Sequence, residues 1–358
     1  MKIYVYPADI HGCGYYRLIW ASRELQRLGH DVSLEMPGAH PRLDVVMEGN
    51  KPKEVHIPQD ADVMVFQRVT HSYLANAISI MRNHGVAVVV DVDDDLARLH
   101  TENGAFDAMH PRNLRSGTSQ HSWHMLEKAC QDATLVTTST DTLAQRYAKH
   151  GRYCVIPNYI PRRYLTIPHI DTDMIGYPGL LSTHANDVEI LGSSIARLMH
   201  DGHDFMTIGD TSGIDRTLNL PRAPISHGPA DLAQWPTALT TIGIGLAPLA
   251  DTEFNRSKSW LKMMEMAAVG VPCVGSPRRE YMKLHKQYGI GVLAEKPKHW
   301  YATVRRLVNN TTERTDLSLR GYEGVRRLIL EEHVSEWLAA WMTARDIEIG
   351  LAVPRAGR

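Results

Sequence analysis

Cysteine is scarce in this chain: four residues, Cys13, Cys130, Cys154 and Cys273, among 358, none in Cys-x-x-Cys spacing. That pattern speaks against a disulfide framework or a cysteine-built zinc site and fits a reducing compartment. An excess of charge of either sign is also missing, because 39 Lys and Arg face 40 Asp and Glu for a formal net charge of -1. General electrostatic attraction to nucleic acid or to a membrane surface is therefore not expected. No apolar run approaches the roughly 20 residues of a membrane-spanning helix. The first residues, Met-Lys-Ile-Tyr-Val-Tyr-Pro, enter a strand pattern directly, so neither a signal peptide nor an integral membrane segment is expected, and the expected location is cytoplasmic. Short repeats and low-complexity tracts are absent, and the 19 histidines are dispersed. Composition leaves the oligomeric state open.

What is present is an alternation of short β-rich runs and helical runs, the mark of an α/β chain with parallel sheets. Strands are expected at Lys2–Tyr6, Asp31–Met36, Val63–Gln67, Val86–Asp91, Leu135–Ser139 and Tyr153–Ile156, with helices at Tyr15–Leu28, His121–Asp132 and Asp141–His150. Pro157-Asn-Tyr-Ile-Pro161 and Pro168 break the pattern and read as a linker. The alternation restarts with strands at Met174–Tyr177, Phe205–Ile208, Ile242–Ala247, Val271–Val274 and Gly291–Leu293. Helices are expected from about Asp187, with Asn186 as N-cap, and at Ser257–Val269, Trp300–Asn309 and Val334–Arg345. At 358 residues the chain is long enough for two cores.

The densest signal is Asn255-Arg-Ser-Lys-Ser-Trp-Leu-Lys-Met-Met-Glu-Met-Ala-Ala-Val-Gly-Val-Pro-Cys-Val274. At about 100° per residue, Lys258, Lys262 and Glu265 share one stripe, while Trp260, Met263, Met264 and Ala267 take the opposite, core-facing side. Cations at a helix start oppose the macrodipole, so Arg256 and Lys258 point to a bound anion such as phosphate. Glu265 would accept hydrogen bonds from a sugar diol. A solvated polar stripe with a Lys262–Glu265 pair is the plain alternative.

Glu265-Met-Ala-Ala-Val-Gly-Val-Pro-Cys-Val resembles the Glu-Ala-Met-Ala-x-Gly-x-Pro-Val-Val signature of family 4 (GT4-like) glycosyltransferases, and Ile244-Gly-Leu-Ala-Pro-Leu249 resembles the strand before their donor site. The resemblance implies a GT-B fold: α/β, two Rossmann-like domains with parallel sheets facing a central cleft, and a C-terminal helix crossing back. It implies an acceptor-side domain over 1–160, a linker over 161–173, a nucleotide-sugar domain over 174–330 and the crossover helix over 331–346. In the family the glutamate matching Glu265 binds the donor ribose. The usual glutamate eight positions earlier is Ser257 here, so Asn255 or Lys258 would take its contacts to the donor sugar.

Three further loops extend the reading. His11-Gly-Cys-Gly-Tyr-Tyr-Arg17 offers close backbone approach and helix N–H groups to an anion. It is similar to a Gly-x-Gly-Tyr-Tyr-Arg loop of the same family, which implies donor contacts by Gly12, Gly14 and Arg17. It also partly matches a dinucleotide fingerprint, with Glu35 at a distance suited to ribose but Arg17 in place of the third glycine. Asp91-Val-Asp-Asp-Asp95 sets four carboxylates at a strand end. Acceptor recognition, proton acceptance by Asp93 or Asp94, a divalent metal and helix capping are all open. A similar run is familiar in bacterial and phage glycosyltransferases. Gly176 to Asp187 resembles a Gly-x-x-x-His-x-x-Asp loop of those relatives, placing Thr183 and His184 near the donor diphosphate. His110 and His121 match an active-site histidine of some relatives only loosely, and Pro157-Asn158 resembles the end of the family's first domain.

The expected function is transfer of a sugar from a UDP-, GDP-, ADP- or dTDP-sugar to a glycan, lipid-linked sugar or protein, by a hexosyltransferase that needs no metal or other cofactor. Retention of configuration is implied by resemblance alone. A nicotinamide-dependent oxidoreductase and a catalytically silent sugar-nucleotide binder are the other readings.

Overall fold

The protein is described by a computed structural model covering residues 1–37, 43–49, 51–109 and 122–350. His110 and His121 lie outside the described residues. In chain order the strands are β1 (Ile3–Tyr6), β2 (Val32–Leu34), the antiparallel hairpin β3 (Asp44–Glu48) and β4 (Lys51–His56), then β5 (Val63–Gln67), β6 (Ala87–Val92), β7 (Leu135–Thr138) and β8 (Tyr153–Val155). The second series is β9 (Ile175–Pro178), β10 (Phe205–Ile208), β11 (Ile225–Ser226), β12 (Ile244–Ala247), β13 (Cys273–Gly275) and β14 (Val292–Leu293).

Two six-stranded parallel sheets result, ordered β2-β1-β5-β6-β7-β8 and β11-β10-β9-β12-β13-β14. Helices cover both faces, so the central strands are buried on both sides and read as continuous apolar runs, as in Ala87-Val-Val-Val90. In each sheet the strand order reverses once, beside β1 and β5 in the first and beside β9 and β12 in the second. At such a switch point adjacent loops leave in opposite directions and open a crevice at the strand C-termini.

The last helix, Ser335–Glu348, returns to the first sheet. Its Trp337 indole donates to the Arg17 carbonyl at 2.7 Å, and Glu348 accepts from Arg82 at 2.8 Å. The first loop enters its helix at Gly12, and Tyr15–Ile19 is a π-turn before regular helix resumes at Trp20. Such turns carry one extra residue and re-aim side chains.

The helix expected over Ser257–Val269 spans only Leu261–Ala268, and a separate short helix, Glu253–Arg256, ends just before it. The Ser257 hydroxyl donates to the Phe254 carbonyl at 2.6 Å and closes the first piece, leaving Lys258 in the connecting turn. Asn186 is not an N-cap: the helix runs Leu181–Glu189, bent at His184, and its cap position is Leu180. The hairpin and the helices Ser72–Asn83, Arg279–Tyr288 and Thr311–Val325 were not anticipated. Among the described residues no helix is long and apolar enough to cross a membrane.

Candidate active site between the two sheets

The two crevices face each other and form one cleft of about 510 Å³. The first half contributes Ile10 to Cys13 after β1 and Asp93 and Asp94 after β6; the second contributes Gly179, Leu180 and His184 after β9 and the stretch from Lys258 to Glu265. Lys262 and Glu265 are one turn apart on the helix Leu261–Ala268 and both line the cleft, while Met263, Met264 and Ala267 are buried behind it.

The Lys262 ammonium is buried and, among the described residues, has no hydrogen-bond partner. It lies 4.8 Å from the centroid of the Tyr177 ring. A Cβ at Gly179, whose φ is +156°, would lie 3.0 Å from it, so glycine is what lets the ammonium pass there. Burial lowers its pKa to about 8, with the Lys258 charge adding to the effect. An unpaired cation in a crevice is a standing demand for an anion. His184 stands beside it, with Nδ1 2.7 Å from Asp187 Oδ2. Burial and the Lys262 charge lower the histidine to about 4, so the ring is neutral at pH 7.

Glu265 is buried and burial raises its pKa to about 7. Its Oε1 accepts from the Tyr16 hydroxyl, on the opposite half, at 2.5 Å. Asp93 and Asp94 meet cations from both halves. Arg68 donates to Asp93 through Nε at 2.5 Å and Nη2 at 2.7 Å, and reaches Asp94 at 3.2 Å. Lys258 Nζ lies 3.0 Å from the other Asp94 oxygen. Arg68 holds φ of +50°, an uncommon conformation for a side-chain-bearing residue that tends to persist at working sites. Cys13 Sγ and carboxylate oxygens of Asp93 and Asp94 gather within 4.8 Å of one another, but Arg68 and Lys258 already supply positive charge to that group.

Several expected site residues are engaged elsewhere. Arg17 and Asp91 are fully buried and form a bidentate pair at 3.1 and 2.9 Å, with Thr137 donating to Asp91 at 2.7 Å. Arg17 also donates to the Ile156 carbonyl and Asn158 Oδ1, so neither its charge nor that of Asp91 is presented to a ligand. Asp95 turns away to Arg146 and Tyr147. Asn255 is buried and donates to Asp187 and the Ala250 carbonyl, supporting the carboxylate behind His184. Arg256 points outward to Asp251 at 2.9 Å. Ser257 is completely buried. Thr183 lies outside the main cleft, its hydroxyl bonded to the Leu180 carbonyl.

In the first loop, Gly12 lines the cleft and Gly14 does not. Asp9 Oδ1 accepts from the His11 and Gly14 amides at 2.9 and 3.0 Å. A carboxylate thus occupies the place where a dinucleotide pyrophosphate would need free N–H groups. A Cβ on Gly14 would lie 1.9 Å from the Asp9 carbonyl oxygen, whereas none within 4 Å would meet one on Gly12. Gly14→Ala should therefore destabilise by roughly 1–3 kcal/mol, as overpacking does, and Gly12→Ala by much less. Equal urea midpoints for the two variants would contradict this.

Tyr16, Arg68, Asp187 and Trp235 were missed as site residues. Tyr16 lies within the loop over 11–17, and Arg68, at the end of a strand facing the aspartates, pairs with them by charge. Nothing local marks Trp235.

No protein-family model matches the chain, and no curated protein matches its sequence. Solved structures do. The sucrose-phosphate synthase of Thermosynechococcus elongatus is 12% identical, covers 96% of this chain and 98% of its own, and has a TM-score of 0.68. Anabaena HepE in complex with UDP and glucose is 13% identical over 96% of this chain and 99% of its own, with a TM-score of 0.62. A glycosyltransferase from Rickettsia africae is 10% identical over 96% and 98%, with a TM-score of 0.61. The fold is GT-B: α/β, two parallel Rossmann-like sheets facing a central cleft, and a C-terminal helix crossing back onto the first.

Proposed function

We propose that the protein is a glycosyltransferase that moves a sugar from a nucleotide-sugar donor to an acceptor hydroxyl. The observation that carries this is the convergence of the unpaired Lys262 ammonium, Lys258 and the buried Glu265 carboxylate on one cleft. Lys262 and Lys258 would hold the donor diphosphate and stabilise the charge that grows on it as the glycosidic bond breaks. Glu265 would accept the ribose hydroxyls. Asp93 and Asp94 would face the acceptor, and His184, neutral and braced by Asp187, would offer Nε2 to the donor. With this goes a division of labour between an acceptor-side domain over 1–160 and a donor domain over 174–330, joined by a linker over 161–173 and the crossover helix over 331–346. A family 4, hexosyl-transferring, retaining enzyme of the cytoplasm is the finer form of the proposal. The acceptor class is a glycan, lipid-linked sugar or protein.

A thermal-shift screen of UDP-, GDP-, ADP- and dTDP-sugars beside NAD and NADP tests it. A ligand at 100 times its Kd adds about 2.7 kcal/mol of stability. Stabilisation by NAD or NADP alone would sink the proposal. Activity is expected to survive EDTA, since Arg68 and Lys258 already neutralise Asp93 and Asp94; loss restored by Mg²⁺ or Mn²⁺ would show that a metal is needed. One observation favours a catalytically silent donor-binding protein instead. Ser257, completely buried and bonded to the Phe254 carbonyl, puts no carboxylate where the family has one for the donor sugar. That reading predicts donor binding without turnover or hydrolysis.

A further inference from the structure

We infer that the ribose site is completed from the opposite half of the molecule: Tyr16 is a positioning residue that holds Glu265 as an ionised acceptor for the donor's vicinal diol. The inference rests on the ribose role proposed for Glu265. An ionised carboxylate has about four lone-pair positions and no donor, whereas a protonated one must spend an oxygen as a donor. A diol that donates twice is therefore held more strongly by the ionised form. Burial works against that form. Tyr16 works for it, donating to Oε1 at 2.5 Å.

The Tyr16 phenol cannot swing away easily. It is buried edge-on against Trp20, with ring centroids 4.6 Å apart, and the Tyr164 hydroxyl lies 2.8 Å behind its oxygen. Since Tyr16 donates to Glu265, Tyr164 must donate to Tyr16, which orders a relay from the turn Arg162–Thr166 through the first half to the second. One lone pair of Oε1 and those of Oε2 remain for the diol. The Tyr16 backbone is set by the π-turn, whose Arg17 carbonyl is taken by Trp337 of the returning helix. The titratable groups facing Glu265 are Tyr16, Tyr164 and Tyr281, with Lys262 on its own helix. When the halves separate, Tyr16 leaves, the carboxylate protonates more readily and its hold on the ribose weakens. Donor binding and closure of the cleft are thereby coupled.

The test is calorimetric binding of UDP and of 2′,3′-dideoxy-UDP between pH 5.5 and 8.5. The second probe carries the same phosphates without the diol, so the difference between the two isolates the diol contact. In the wild type the advantage of UDP should fall away below about pH 7, the value at which Glu265 takes a proton. In Tyr16→Phe that midpoint should rise by about one pH unit, the expected loss for a hydrogen bond to a charged group. In Tyr164→Phe, one bond further back, it should rise by less. A purely structural role would weaken both probes equally and leave the midpoint where it was. Loss of the UDP advantage in Glu265→Gln with unmoved midpoints in both tyrosine variants would overturn this inference alone. An unchanged UDP advantage in Glu265→Gln would overturn the ribose contact, and the inference with it.

Discussion

Lys262→Met should abolish most sugar transfer and at the same time make the ligand-free protein more stable. The two effects share one cause. The ammonium is buried without a hydrogen-bond partner among the described residues, and its pKa is lowered from the ordinary lysine value of 10.5 to about 8. Between those values the unfolded chain binds the proton and the folded chain does not, so wild-type stability should rise as pH increases from 8 to 10.5. Below pH 8 the folded protein carries the full penalty of a charge without a partner. A methionine of similar length, packed on the Tyr177 ring, removes that penalty, by roughly 1–3 kcal/mol. A bound diphosphate supplies the missing partner in the wild type and raises the lysine pKa, so donor affinity should decline above about pH 8. With Glu265 titrating near 7, donor binding should peak in a narrow band between those limbs. In turnover, removing one preorganised charge that meets the leaving group typically lowers kcat by about 10² to 10³. Urea unfolding at several pH values together with donor kinetics reads both halves. A variant that is less stable at pH 7, or that keeps wild-type kcat, would remove Lys262 from the phosphate site.

Arg17→Ala is expected to lose about 3–5 kcal/mol of stability, the cost of breaking a buried ion pair from one side. That is a large share of the ~5–15 kcal/mol by which a domain is held. The Asp91 carboxylate would keep Thr137 and lose both guanidinium bonds, and the Ile156 carbonyl and Asn158 Oδ1 would lose their donors together. Because the damage lies in the uncompensated charge, Arg17→Met combined with Asp91→Leu should recover most of the loss. If Arg17→Ala unfolds at the wild-type urea concentration, or if the double variant is no better than the single, the pair is not what ties the π-turn Tyr15–Ile19, β6 and the segment after β8 together.

The cleft-facing pair Lys262 and Glu265 was legible from spacing, because three residues on a helix are neighbours whatever the helix packs against. The helix itself starts four residues later than its pattern suggests, at Leu261. The wheel put Lys258 on the shared stripe, and it reaches the cleft from the turn instead; the macrodipole argument for Arg256 and the motif position of Ser257 gave these two cleft roles that the break between Arg256 and Leu261 denies them. That break is made by the Ser257 hydroxyl on the Phe254 carbonyl, with the Thr140 hydroxyl of the first half on the Ser257 carbonyl at 3.0 Å. Local propensity carries no trace of the second bond. The aspartate run shows the same limit. Four carboxylates in five residues announced that something must compensate them, and five residues in three groups do so: Arg17 for Asp91, Arg68 with Lys258 for Asp93 and Asp94, and Arg146 with Tyr147 for Asp95. Those partners lie between 25 and 164 residues away.

By itself the sequence determined the alternating architecture, through runs such as Ala87 to Val90 that are apolar on both faces and bounded by turn residues, and it determined which helix carries Lys262 and Glu265 on one face. These are properties of period and burial, which a chain expresses within ten or fifteen residues. Only the tertiary structure decided which of the charged residues stay available. Each buried charge must find a partner wherever the fold brings one. Arg17 found Asp91 and has its charge taken up there, while Lys262 found none and stays available in the cleft.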